Sequence, residues 1–445
     1  MDDALNELRG SLAGRAIAPE DPDYDAARRC FNALVDRRPV AIARCLGAGD
    51  IATALDFAKS NGLEVAVRGG GHNPAGHCVV DGGLVIDLSQ MRSVEVDNDA
   101  QVARAEGGAT WLDFDSATQA FGLATPGGVV GSTGVGGLTL GGGIGHLISQ
   151  HGLTCDNLIG AEVVTPDGSV VQVGGGENEE LLWALRGGGG NFGVATRLDF
   201  RLHPLDGVVG GKLTYTGAGI REALRRFRDI VARSPGDFSC QAGLSLDGDG
   251  APSLWIAPCS ADSSAEREEL QMLRAAPGLA EDGVRKQTFF EQQNLFDSPY
   301  GVDRNYWKGH FVRELPDEMF DELVQRISAL GRPPGGILIE SLHGAPKDAD
   351  GSAVGFRHAA FNISAMAVWQ DSDADEQHIA WARETVAAIE PWSLGGGYAN
   401  YMQADETIDR VRAAFGDDAF GRLQALKRRY DPNNVLRRNQ NIPPR

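Results

Sequence analysis

The chain has little of what most simply places a protein on nucleic acid, in a membrane or around a metal. It lacks a basic excess: 41 Lys and Arg stand against 61 Asp and Glu in 445 residues, a formal charge of −20. Nucleic acid and anionic headgroups therefore find no electrostatic footprint, and the acidic balance reads as a solvated surface. No apolar run is long enough to span a bilayer. The start, Met1-Asp2-Asp3-Ala4, is acidic and without an apolar h-region, so no secretory leader is read there and a cytoplasmic location is expected. The six cysteines, Cys30, Cys45, Cys78, Cys155, Cys240 and Cys259, contain no CxxC pair and are expected as buried free thiols. His77-Cys78 has no second ligand pair at zinc-like spacing, so no metal is expected. Walker loop, HExxH pair and GxSxG elbow are all missing, which removes the usual support for a P-loop nucleotidase, a metallohydrolase or a serine hydrolase.

What the chain has in quantity is glycine, 59 residues, in a composition that is 42% hydrophobic and long enough for a sizeable core and two or three domains. The glycines cluster. Arg68-Gly69-Gly70-Gly71-His72-Asn73 directly follows the apolar run Leu63 to Val67. It reads either as a turn whose bare amides hold an anionic group beside a histidine nucleophile, or as a Gly-rich turn next to a surface histidine. Gly131 to Gly145 has too many glycines for a stable helix interior and is too apolar for a linker, so it is expected to pack flat against something large and rigid, such as a cofactor. Gly187 to Gly193 contains a formal GxGxxG at Gly188, Gly190 and Gly193. It runs from helix to strand, whereas a Rossmann site runs from strand to helix, and is discounted.

The pattern between the clusters predicts mixed elements. Asp50 caps a helix to about Ser60 with Gly62 past its end, and Leu63 to Arg68 returns as a strand. Leu84 to Leu88, Val94 to Asp97 and Val102 to Glu106 read as short strands, and Trp111 to Ala120 as a helix. Ile159 to Thr165 and Val170 to Val173 flank Pro166-Asp167-Gly168 as a hairpin. Beyond His203-Pro204 amphipathic helices follow at Arg221 to Ala232, Ala265 to Ala275 and Pro316 to Leu330, with strands at Leu254 to Ile256 and Ile337 to Glu340. A domain change is expected near 205 and a return to the first domain near 395.

Together with Tyr398-Ala399-Asn400-Tyr401 and the segment from Tyr430 to Ile442, these stretches resemble the berberine-bridge-enzyme-like flavoproteins, of the vanillyl-alcohol-oxidase and p-cresol-methylhydroxylase type. Gly71-His72-Asn73-Pro74 is most similar to the bacterial branch around 6-hydroxy-D-nicotine oxidase. The resemblance implies an α+β, two-domain FAD-binding fold: residues 1–205 and 396–445 hold FAD, and 206–395 form a substrate domain of antiparallel sheet plus helices. It implies FAD contacts from Arg68, Gly69, Gly70, Gly71 and Asn73, from Ser132, Thr133, Gly136, Gly137, Gly142 and Gly143, and from Asp156, Asn157, Asn400 and Asn439. It also implies a covalent bond from His72 to the flavin. Many relatives add a second bond from a cysteine, but that position here is Val130, so attachment through His72 alone is expected, and Cys155 is expected as a packed thiol.

The same resemblance puts Thr133 at the position that gates oxygen. Its valine-like shape favours an oxidase that reduces O2 to H2O2, while its hydroxyl leaves oxygenation open. Tyr401, with Tyr398 as its neighbour, matches the family's proton acceptor, and a tyrosine of pKa ~10 needs its pKa lowered to act so at neutral pH. Glu340, ending an apolar strand, is the second candidate base; Tyr306, Trp307 and His310 are candidates for a substrate cavity. The expected activity is removal of a hydride from a C–H next to O or N in a small organic compound, a secondary metabolite, heterocyclic amine or sugar. Flavin-dependent oxygenation or oxidative cyclisation of a phenolic or polyketide-like product is the alternative, and a flavin-binding protein without turnover is another.

Overall fold

A computed structural model of the chain describes residues 2–234, 236–262, 267–298, 300–331, 335–344 and 351–444. Its architecture is mixed α+β, with three sheets positioning the site. In a four-stranded sheet, Ala41–Arg44 and Val65–Arg68 run parallel to Leu84–Asp87 between them, and Arg15–Ile17 pairs antiparallel at the far edge. Ala41, Ile42, Val65, Ala66, Val85 and Ile86 are all buried, as the strands of a sheet covered on both faces must be. The crossover helix Ala48–Ser60 buries Ile51, Ala54, Leu55 and Ala58, one stripe at helical spacing. It starts before Asp50, which is therefore not its cap. The Asp50 carboxylate instead accepts from the amides of Ala13, Gly14 and Leu46, tying three loop N–H groups to the helix.

A five-stranded antiparallel sheet follows, in the order Val94–Asp97, Val102–Glu106, Val194–Arg201, Leu158–Val164, Val170–Gly174. Helix Trp111–Gln119 is held by a capping box between Thr110 and Asp113. The glycine segment corrects one expectation: Val135–Leu140 is a short helix despite Gly136 and Gly137. Tertiary contact outweighs propensity there, because Asn400 Nδ2 donates to Leu138 O at 3.0 Å and a Cβ on Gly136 would stand 3.2 Å from Gly107 O.

The third sheet has nine strands, all between residues 208 and 369, including Phe238–Leu246, Pro252–Ser260, Arg304–Val312, Gly335–Ser341 and Phe361–Trp369. Alternation sorts its two faces. Ala242, Leu244, Ile337, Ile339, Ile363 and Ala365 belong to the largest core cluster, with side chains from helices Ile220–Arg233, Asp317–Ala329 and Asp375–Ile389. The intervening residues face the other way. The last helix, Asp417–Tyr430, buries Lys427 completely; its Nζ donates to Asp431 at 2.6 Å, to Asn191 O at 2.8 Å and to Leu436 O at 2.9 Å. A buried ammonium with three acceptors ties the C-terminal segment to the glycine cluster at 187–193. Among the described residues no helix is long and apolar enough to cross a membrane.

Candidate active site

The glycine clusters, far apart in sequence, touch. A Cβ on Gly70 would lie 2.3 Å from Gly134 N, and one on Gly134 would lie 2.4 Å from Gly70 N, so two bare backbones meet where no side chain fits. Gly71, at φ +70°, turns the chain out of strand Val65–Arg68. Beside this contact opens a cavity of about 580 Å³ whose lining takes in Gly69 to Asn73, Gly136, Gly137, Gly187 to Gly190, Asn400 and Asn439. A Cβ on Gly137 or Gly190 would meet nothing within 4 Å, so these glycines leave open space along the cavity instead of filling it.

His72 lines the cavity on a fixed axis. Its ring stacks on Phe31 with centroids 4.5 Å apart, Tyr300 meets it edge-on at 5.3 Å, and Nε2 lies 2.9 Å from Ser132 Oγ. Burial holds its pKa down to about 4, so the imidazole is neutral at pH 7, the nucleophilic form. Other polar groups of the lining have no hydrogen-bond partner among the described residues: both ring nitrogens of His77, Nε of Arg438 and Oδ1 of Asn439 are buried and unpaired. Orphaned donors and acceptors on a cavity wall of bare backbone suit a large polar ligand that brings its own hydrogen-bonding groups, and FAD is such a ligand.

Not every residue expected to hold the cofactor faces the cavity. The Arg68 guanidinium is turned into the protein, 2.7 Å from Asp87 and bonded to the carbonyls of Ala27 and Arg29, which leaves only its main chain for a ligand. Ser132 acts on His72. Gly142 and Gly143 lie behind the wall, where Cβ atoms would meet Tyr398 and Thr154. Asp156 pairs with Arg357 and accepts from Leu153 N, and Asn157 donates to the carbonyls of His151 and Leu153. Both brace a loop. Burial, then the Asp156 charge, pushes the Cys155 thiol well up, as expected of a packed cysteine. Thr133 and Val130 do line the cavity, as does Cys78, whose free thiol is pushed well above its ordinary range by its hydrogen bond with the Cys30 thiol and by burial.

The second wall comes from the nine-stranded sheet and Tyr401. Glu340 is 1% exposed; Asn362 Nδ2 donates to one carboxylate oxygen at 2.7 Å, and Tyr401 OH donates to the other at 3.1 Å. Burial raises its pKa to about 7 against the lowering pull of those two bonds. The expectation of a lowered Tyr401 pKa is overturned: burial, then the neighbouring Glu340, pushes it well above its ordinary value. Tyr398 serves as a pin. Its oxygen accepts from the amides of Gly143 and Ile144 and from Asn400 Nδ2, and burial raises its pKa as well. Of the aromatic trio on strand Arg304–Val312, Trp307 lines the cavity, while Tyr306 and His310 face the other side, bonded to Asp405 and to Ser393 and Glu390. Sequence reasoning missed Phe31, Tyr300 and Asn362, and nothing in their local sequence marks them.

Residues 39–174 match a family model described as FAD binding domain, and residues 397–443 one described as berberine and berberine like. The chain is 32% identical to (R)-6-hydroxynicotine oxidase of Paenarthrobacter nicotinovorans, over 98% of this chain and 97% of that one. It superposes on the crystal structure of 6-hydroxy-D-nicotine oxidase from Arthrobacter nicotinovorans with a TM-score of 0.89 and 30% identity, covering 98% and 99% of the two chains. It shares the fold of glucooligosaccharide oxidase from Acremonium strictum, which carries a 6-S-cysteinyl, 8α-N1-histidyl FAD, at 24% identity and a TM-score of 0.86, covering 99% of each chain.

Proposed function

Since this chain belongs to the berberine-like family of FAD-dependent oxidoreductases, we propose that it is an oxidase removing a hydride from a C–H next to O or N of a small organic molecule, with O2 taking the electrons as H2O2. The observation that carries this reading is the Tyr401–Glu340 pair beside the glycine cradle. Bound FAD supplies the acceptor for the hydride. The protein supplies the base. A substrate O–H or N–H gives its proton to Tyr401 Oη as the tyrosine's own proton passes to Glu340 Oε1; the raised pKa of Tyr401 excludes a standing phenolate, and a carboxyl titrating near 7 is matched to neutral pH. Hydride loss then leaves the carbon doubly bonded to its oxygen or nitrogen.

Residues 1–205 with 396–445 would hold FAD and residues 206–395 the substrate, a division supported by the confinement of the nine-stranded sheet to 208–369. His72 would hold the flavin covalently through Nδ1, because Nε2 is engaged by Ser132. Val130 offers no nucleophile and the raised Cys78 thiol a poor one, so attachment is single. The free, buried cysteines suit a reducing compartment, and we place the protein in the cytoplasm.

Stopped-flow spectroscopy tests the reading. Flavin reduction by substrate is expected to accelerate as pH rises through about 7, where Glu340 ionises, and reoxidation by O2 to be fast with H2O2 released. A flat profile removes Glu340 as the base. Incorporation of an oxygen atom into product replaces oxidation by oxygenation, and no reduction by any compound of a broad panel makes the chain a flavin carrier. Peptide mapping is expected to find FAD on the His72 peptide and on no cysteine peptide.

A further inference from the structure

The cavity face of the nine-stranded sheet is mostly apolar, with Trp255, Leu338, Met366, Val368 and Trp307 among the lining. Trp255 lies across Gly243, where a Cβ would come 2.3 Å from its indole, so a flat ring floors this wall. Among the described residues the sheet contributes no arginine or lysine to the lining. Polar groups on the face are few, and most are satisfied within it. Asn305 Oδ1 accepts from Trp307 Nε1 at 3.2 Å and its Nδ2 donates to Asp303 O at 2.9 Å; Ser364 Oγ accepts from Asn362 Nδ2 at 3.2 Å. Two atoms of one rung are not: Gln241 Nε2 and Asn362 Oδ1 are buried without a hydrogen-bond partner among the described residues, and of the two side chains Gln241, 3% exposed, is the one that lines the cavity.

Register puts Gln241 where such an unpaired donor matters. It stands directly opposite Glu340 on the neighbouring strand, and Glu340 stands opposite Asn362 on the next, so the three share one rung and one face. Side chains so paired have Cβ atoms roughly 5 Å apart. A buried amide N–H left unpaired costs free energy that an acceptor arriving with a ligand recovers.

We propose that Gln241 determines specificity: its amide reads a carbonyl or ether oxygen of the substrate next to the O–H or N–H that the Tyr401–Glu340 pair deprotonates. This rests on the function proposed above. The substrate class follows from the wall: a flat aromatic compound bearing one hydrogen-bond acceptor and, on a substituent carbon that still carries a hydrogen, the O–H or N–H that is deprotonated. Sugars fit poorly, because a hydroxyl on nearly every carbon needs more free polar partners than this face offers, and an anionic substrate finds no cation on the sheet.

Calorimetric titration of the holoenzyme with meta-hydroxyacetophenone, the analogue meta-ethylphenol that lacks its carbonyl oxygen, and cellobiose, used as binding probes, tests this. The ketone is expected to bind up to about tenfold tighter than the ethylphenol, the worth of one net hydrogen bond, and cellobiose weakest. Gln241→Leu should erase the ketone's advantage while leaving meta-ethylphenol within about twofold. Gln241→Met, which keeps the length of the side chain and loses the donor without adding a charge beside Glu340, should erase the ketone's advantage as well. Glu340→Gln should instead weaken both phenols together, since both carry the hydroxyl. An advantage for the ketone that survives both Gln241 variants overturns the Gln241 assignment, as does tighter binding of cellobiose. Loss of flavin reduction control by Glu340 with the Gln241 effect intact overturns only the base.

Discussion

The two walls of the cavity recognise by different means. The glycine wall works with main chain: Gly70 and Gly134 meet backbone to backbone, and Gly137 and Gly190 leave open space, so what matters there is the absence of Cβ atoms. The sheet wall works with side chains: Gln241 and Tyr401 line the cavity, Tyr401 is bonded to Glu340, and all three present their polar atoms at the ends of rotatable bonds. A main-chain wall is indifferent to which substrate is turned over, which suits a constant cofactor. A side-chain wall can be rewritten one residue at a time without disturbing the other, which is how one fold serves many substrates.

If the walls are separable, changes in the sheet wall alter rates with flavin content intact. The largest such effect is expected for Glu340→Gln, which keeps the shape and loses the base: the reductive rate should fall about 10³-fold and its rise with pH through about 7 should vanish. Tyr401→Phe should lose about 10²-fold and keep the pH dependence, because Glu340 still titrates. A Tyr401→Phe enzyme that lost its pH dependence as well would make the tyrosine the titrating group. Both are read by anaerobic stopped flow.

Substitutions in the glycine wall should do the opposite. In Gly134→Ala the new methyl faces Gly70 N at 2.4 Å with backbone on both sides, so the two loops must part. Overpacking of this kind costs about 1–3 kcal/mol. Thermal melting should show the loss and flavin content should drop, while the flavin-loaded fraction keeps its reductive rate. A normal flavin content with a slowed reaction would break the separation of the walls. Thr133→Leu has the smallest expected effect, a change of bulk at one residue that lines the cavity. Reoxidation by O2 should slow about tenfold, the size of effect one added side-chain volume produces in a fitted pocket, with reduction by substrate nearly unchanged. Equal oxygen rates would remove Thr133 from that role.

Legibility in the sequence divides along the same line. Gly69-Gly70-Gly71-His72 and the glycine run from 131 could be read as a cradle, since a missing Cβ is visible in the letters themselves. The hairpin Leu158–Val164 and Val170–Gly174 and the helix Ile220–Arg233 were equally plain from turn chemistry and periodicity. Reading by propensity failed at Val135–Leu140, where Asn400, brought in from the C-terminal segment, holds a helix that its own glycines disfavour. Where the Arg68 side chain goes was not legible for a related reason: its partner, Asp87, comes from the parallel neighbouring strand, and pairing with it turns the guanidinium away from the cavity.

From the sequence by itself came the family, its cofactor, His72 as the attachment point to test, and two candidate bases, because these depend on motifs a few residues long. The proposal of Glu340 as the base draws on three dimensions. Tyr401 and Glu340 lie 61 residues apart and act on each other across 3.1 Å in a buried site, where loss of water raises both pKa values and brings only the carboxyl near neutrality. Gln241 joins them through strand register. Register is fixed by pairing between distant segments, and a slip of one residue would send its side chain to the opposite face, so no local pattern around Gln241 could state which group it would stand beside.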